Sequence, residues 1–190
     1  MKKRLFVTIL LILTLVACSN EKIKSNMTST VDHFEFIDQH GETISSDELQ
    51  DGWWIAYFFY TNCRMVCPRT TAHILDIHDT LRDDGITPPI VGFSIDPDFD
   101  TPEVLQEFAK DYGINDDNIT FLTGYDFDTI QKLSNESFQS VLIDGGPEDH
   151  LYVHSTAFFL VNPKGEVIKQ YDGLSNKDHE ELIADVKKVM

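Results

Sequence analysis

Alternating strand-like and helix-like segments predict an α/β protein: a central mixed β-sheet flanked by helices, with an N-terminal β-hairpin. Three observations carry this expectation. Residues 53–60, "WWIAYFFY", form a continuous aromatic and β-branched run, the pattern of a central strand buried on both faces. Beyond it, strand-like runs alternate with amphipathic stretches up to about residue 138. A hairpin and a last helix then close the order strand, helix, strand, helix, strand, helix, hairpin, helix.

Each element has its own local cause. "HFEFIDQHGETIS" (33–45) alternates in polarity and turns at His40-Gly41, a short hairpin. Ser46 or Asp47 is expected to cap a short helical turn after it. Residues 68–82 carry Ile74, Leu75, Ile77 and Leu81 at helical spacing, with Pro68 in the first turn and "DDG" behind. "IVGFSI" (90–95) is the next strand. A helix follows with Thr101 as N-cap, Pro102 at its first position, Glu103 in its first turn and Gly113 past its end. Residues 119–124 read as a strand and 126–138 as one helix. "STAFFLVNPKGEVIKQYDG" turns at Asn162-Pro163-Lys164-Gly165, and Leu182, Ile183, Val186 and Val189 mark an amphipathic helix over 177–189.

Length and composition set outer bounds. With 190 residues, 42% hydrophobic, the chain suits one domain, placed at 31–190, and shows no internal repeat. The first residues, "MKKRLFVTILLILTLVAC", join a basic segment to an apolar run over 5–16, too short for a comfortable membrane span and fitting a signal peptide over 1–17. Its end, Leu15-Val16-Ala17-Cys18, resembles the lipobox of bacterial lipoproteins. That resemblance implies cleavage before Cys18, a lipid on its sulfur, and anchorage to the extracytoplasmic face of a bacterial cell membrane. Residues 18–30, polar and without periodicity, read as a flexible tether. Cleavage removes three basic and no acidic residues, taking the net charge from −17 to −20. So acidic a domain does not bind nucleic acid by neutralising phosphates.

Three cysteines are present. With Cys18 lipidated, Cys63 and Cys67 are the remaining thiols, in "YTNCRMVCPR" (60–69). A disulfide across so short a loop adds little to a domain able to build its own core, so a purely structural role explains the pair poorly. Opening a helix after a buried strand, the two sulfurs gain thiolate character from the helix N-terminus. Thiolate is both nucleophile and metal ligand, so this position suits redox and metal chemistry alike.

Two more segments point to the same place. Asp96 in "SIDPDFDTP" ends a strand at the carboxyl edge of the sheet, where open α/β sheets build their sites. His154, just before "STAFFL", starts a strand expected to return antiparallel, so it faces the same edge. His150 is a neighbouring fallback ligand. His33 and His40 in the early hairpin, His73 and His78 on the first long helix, and His179 near the end are weaker candidates.

Together "FYTNCRMVCP", "FSIDPDFDTP" and "VHSTAFFLVNPKGEVIKQYDG" resemble the three signature segments of the Sco/SenC family, in the right order, over roughly 31–188. The resemblance implies a thioredoxin-like fold. It implies a role in building the binuclear copper site of cytochrome c oxidase subunit II, by copper delivery or by thiol reduction with a thiol-disulfide reductant as second partner. It further implies Cys63, Cys67 and His154 as copper ligands, with Asp96 in an acidic loop beside them. Between the cysteines the family most often has Pro-Asp, whereas this chain has Arg64-Met65. Losing a carboxylate and gaining a cation favours thiolates and opposes a cationic metal.

The donor chemistry agrees. Two thiolates and an imidazole suit Cu(I) in a trigonal site, or Cu(II) once a further group completes a tetragonal one. Met65 offers a thioether, or mere packing. Copper loading requires reduced cysteines, so redox state gates it. The leading reading is a binding and transfer protein rather than a turnover enzyme. The alternative is a thiol-disulfide oxidoreductase with Cys63 attacking and Cys67 resolving. A peroxiredoxin-like peroxidase is a third reading: Thr61 precedes Cys63 as in PxxxTxxC, but the proline position holds Tyr57.

Overall fold

The computed structural model describes residues 23–115, 117–146 and 152–190. The expected signal peptide over 1–17, Cys18 and His150 lie outside them.

The strands are β1 (Ser29–Thr30), β2 (Glu35–Asp38), β3 (Thr43–Ser45), β4 (Trp54–Phe59), β5 (Ile90–Ser94), β6 (Ile119–Thr123), β7 (Leu142–Asp144), β8 (Tyr152–His154), β9 (Ala157–Val161) and β10 (Glu166–Asp172). The helices are α1 (Cys67–Asp83), α2 (Pro102–Asp111), α3 (Phe127–Lys132) and α4 (Asn176–Val189). Eight strands form one mixed sheet in the order β1-β10-β9-β4-β5-β6-β2-β3, and β7 and β8 make a separate pair. β4, β5 and β6 run parallel, while β9 returns antiparallel against β4.

β4 is buried along its whole length, as its unbroken apolar run requires. Ala56 and Phe58 face one core with Phe93, Phe138 and Phe159. Ile55, Tyr57 and Phe59 face the other, under Ile74 and Ile77 of α1, Leu105 of α2 and Leu182 of α4. Gly92 is needed at the centre of this second core. A Cβ there would stand 3.0 Å from each of Phe121, Phe59 and Tyr57.

Four local expectations change. The cap of the short 3-10 turn is Ser45, closed by Glu48 in a capping box, while Ser46 instead accepts from the Phe34 N–H. The helix expected over 126–138 is shorter. It is capped by Asp126 and passes at Leu133–Ser137 into a π-turn, where Ser134 turns aside to bond Ser140 through both its hydroxyl and its carbonyl. β7 and β8 are an additional ladder. Finally, residues 23–30, read as tether, pack along β10. Ile23 and Met27 are buried, and the Asn26 side chain pairs with both backbone groups of Gln170.

α4 is fixed to β10 by a buried ion pair. Lys169 Nζ bonds Asp185 at 2.7 Å, and Tyr171 and Lys188 also donate to that carboxylate. Burial pushes Asp185 up, but Lys169, Lys188 and Tyr171 outweigh it and hold it below the usual carboxylate range. Lys169 also pairs with the half-exposed Glu181, so we expect Asp185→Asn to cost about 2 kcal/mol in urea unfolding at pH 7, by removing the buried one of its two carboxylate partners. A depressed folded pKa gives stability present above the unfolded value of about 3.9 and lost as pH falls further. The parent's advantage should therefore be full at pH 7 and shrink below about pH 4.

Candidate metal centre

The site lies at the carboxyl edge of β4 and β5. Chain leaving β4 turns over at Tyr60, where the Cys63 N–H donates to the Tyr60 carbonyl at 3.4 Å. Cys67 is the first residue of α1, whereas Cys63 stands in the preceding loop rather than in the helix. The loop, not helical periodicity, brings the sulfurs together. Both are free thiols, and both are buried. The helix N-cap, Val66, makes no side-chain cap bond, so helix-end N–H groups are left for sulfur.

That placement splits the two thiols. Burial pushes Cys63 up, but a hydrogen bond from Cys67 and the backbone N–H groups of Cys67, Met65 and Val66 overcome it and hold the thiol at about 7. Cys67 is raised, by burial first and then by donating to Cys63 and lying beside its charge. The pair thus ionises first at Cys63, with its partner's proton beside it.

His154 ends β8, one residue past the outward-facing Val153. Its Nδ1 lies 2.8 Å from the Ser155 carbonyl. A carbonyl only accepts, so Nδ1 carries the proton and the Nε2 lone pair points the other way. It meets Cys67 Sγ at 3.7 Å. Burial lowers the His154 pKa against the opposing pull of the Ser155 bond, which keeps the ring neutral at pH 7. Donors sharing one first-row ion, with bonds of about 2.3 Å to sulfur and 2.0 Å to nitrogen, stand about 3.5–3.7 Å apart. The Cys67–His154 spacing fits that. Among the described residues no three-donor cage is already closed; Cys63, hydrogen-bonded to Cys67, is next to the pair.

Aromatic rings wall the site. Tyr60 stands edge-on to both Tyr152 and His154, at 5.3 and 5.9 Å between centroids, and Phe127 stacks on Tyr152. Asp96 is buried and accepts the Tyr152 hydroxyl at 3.0 Å. It thus holds the strand that carries His154, two residues away. Asp100 went unnoticed in the sequence. Fully buried, it accepts from the Thr61 N–H and hydroxyl and from Ser94, so it ties the cysteine loop to β5. Burial raises its pKa against those bonds. The readable signal was an acid four residues after Asp96, facing a threonine two before Cys63. This use of the Thr61 hydroxyl, with Tyr57 buried mid-strand, leaves a peroxidatic reading without its positioning group.

The other histidines sit elsewhere. His33 approaches Asp47 in the early hairpin, and His73 on α1 bonds the Gly173 carbonyl and packs against His179.

Fold and site together define a thioredoxin-like domain carrying a cysteine pair and a histidine at one sheet edge. The SCO1/SenC family pattern matches residues 23–190, and the chain belongs to that family. Its members are copper-binding proteins and cytochrome c oxidase assembly proteins. A SCO1/SenC family lipoprotein from Bacillus anthracis is 34% identical, with 85% of this chain and 95% of that one covered and a TM-score of 0.80. BsSco, described as a cytochrome c oxidase assembly protein with a disulfide switch, is 37% identical over 85% and 93%, with a TM-score of 0.76. Yeast Sco1 with copper bound is 27% identical over 84% and 89%, with a TM-score of 0.67.

The split thiols give a direct expectation. Iodoacetamide should label Cys63 with a rate that rises with pH and reaches half its maximum near pH 7, while Cys67 stays largely unlabelled. Peptide mass spectrometry reads both sites. Equal labelling, or a midpoint above pH 8, would contradict the assignment.

Proposed function

We propose that this chain is a membrane-tethered copper-binding protein that helps assemble the binuclear copper site of cytochrome c oxidase subunit II. Cys63, Cys67 and His154 would hold the copper, and a lipid on Cys18 would keep the domain at the outer face of a bacterial cell membrane. The observation that carries this reading is the neutral His154 Nε2, aimed at Cys67 by its Nδ1–H bond to Ser155. A dithiol acting alone has no use for an imidazole oriented this way. The copper-bound yeast relative adds support. When bound, copper would supply a soft, exchangeable ion to pass on. The residues around it keep the imidazole neutral, ease the ionisation of one cysteine, and shield the donors with Tyr60 and Tyr152.

One observation favours a second reading, thiol reduction of the partner. The low-pKa Cys63 and protonated Cys67 are the asymmetry a dithiol reductant needs. The Cys63 thiolate would attack a partner disulfide and release one partner thiolate, which takes up a proton. Cys67, losing its proton, would then attack the Cys63 sulfur and free the second partner thiol. The partner gains two electrons and the chain keeps a Cys63–Cys67 disulfide, reset by a thiol-disulfide reductant.

Copper titration of the reduced protein, beside His154→Ala, tests the first reading. The parent should show a one-to-one thiolate-to-copper charge-transfer band. The variant should lose it, or bind about 100-fold more weakly or worse. Identical behaviour of the two leaves the dithiol reading alone.

A further inference from the structure

Six large hydrophobic side chains are exposed among the described residues: Met65, Phe99, Val141, Ile143, Val153 and Met190. Met190 is the final residue. Of the other five, Met65 lies on the cysteine loop, Phe99 on the Asp96–Asp100 loop, Ile143 and Val153 on the β7–β8 ladder, and Val141 just before β7. Met65, 72% exposed, sits between the two cysteines. Ile143 and Val153 are direct cross-strand partners on the outer face of the ladder, the face opposite to the one that Leu142 and His154 present. Apolar side chains gathered around a site and absent elsewhere mark an interaction surface.

Charge on the same rim is polarised. The chain has 32 acidic and 15 basic residues, yet two exposed arginines stand at the site, Arg64 between the cysteines and Arg69 just after them. Arg82, the remaining described arginine, pairs with Asp79; among the described residues Arg64 and Arg69 have no carboxylate partner. Arg69 lies in the first turn of α1, which holds no acidic residue. A cation at a helix N-terminus costs stability. Neither arginine is among the main groups holding the Cys63 thiol down. Across the site the sign reverses: the Asp98 and Asp144 carboxylates both lie close enough to act on Tyr152.

We infer that this rim is the docking surface for a protein domain with an apolar patch around its own thiol or metal site, carboxylates on one side of it and basic groups on the other. The inference rests on the proposed transfer reading and names the partner's chemistry. The five apolar side chains supply contact area, and the arginines and aspartates fix the partner's orientation, so the two sites meet in one register. An anionic bilayer fits poorly, because Asp98, Asp144 and a net charge of −17 oppose it. A second copy brings the same excess negative charge.

The test uses the full chain in non-ionic detergent, with the metal-free soluble domain of oxidase subunit II as probe. Arg69→Glu and Ile143→Asp leave the sulfur and imidazole donors themselves unchanged. Each should weaken binding about tenfold or more. Salt should weaken the parent's binding more than that of Arg69→Glu. The same Arg69→Glu protein should melt at an unchanged or higher temperature, since it relieves the helix end, which separates a docking role from a structural one. No binding by the parent, or binding that neither substitution weakens, overturns the surface. So does parent binding to phosphatidylglycerol vesicles, or self-association, that both substitutions abolish. Copper titration of the same samples keeps the readings apart. A parent that docks without a copper band retains the surface and loses the copper role, and a parent with the band that does not dock does the reverse.

Discussion

The antiparallel pairing of β9 against β4 is the constraint on which the site depends. Cys67 and His154 are 87 residues apart in sequence, and no local element joins them. β4 is buried on both faces, so its neighbours are fixed by packing: β5 on one side and β9 on the other. Because β9 runs the opposite way, its first residues lie where β4 ends, with Tyr57 opposite Phe158. The cysteine loop leaves β4 at the edge where the chain coming from His154, at the end of β8, enters β9. A parallel β9 would have placed His154 at the far edge.

Two buried carboxylates show how this fold separates stability from site geometry. Asp185 is answered by a cation, and its environment holds it ionised. Asp100 is equally buried and is answered by hydroxyls and one N–H. Burial outweighs those bonds and raises its pKa. The first pins a helix to a strand. The second joins the loops that carry Cys63 and Asp96, without placing a positive charge beside the thiols. A cation there would stabilise both thiolates and repel a metal ion. Hydroxyl donors fix the loop and leave the electrostatics to the backbone N–H groups around Cys63.

Much of this was legible in the sequence because it is governed by local rules. The continuous run of β4 and the helical spacing of α1 declared themselves. So did the Thr101–Pro102 start of α2 and its end at Gly113, whose φ is 68°. Cys63, Cys67, Asp96 and His154 were singled out from their expected positions at one sheet edge, where the structure gathers them, although His154 ends the short β8 rather than starting the strand that returns along β4. What escaped was set by tertiary contact. β7 and β8 are three residues each, with exposed apolar side chains, so they lack the alternation of a half-buried strand. The segment over 23–30 is polar except for Ile23 and Met27, and Asn26 supplies through its side chain the pairing a strand makes through its backbone. Asp100 looked like one acid among 32, and only burial singles it out.

The Arg64-Met65 pair brings the chemistry and the surface to the same loop. Read against a metal, a cation beside the ligands is a liability. Its cost is limited by exposure: Arg64 points to solvent, where high dielectric weakens its field at the buried sulfurs. Read against a partner, the same exposure is an advantage, because a charge and a thioether side chain in water are the first groups to be met. Both then lose their water as the partner seats. There the arginine would meet a partner carboxylate, so its charge would be answered by the partner rather than by the buried sulfurs. An exposed cation at this place would thus serve docking at little cost to the site, whereas a carboxylate there would repel an acidic partner.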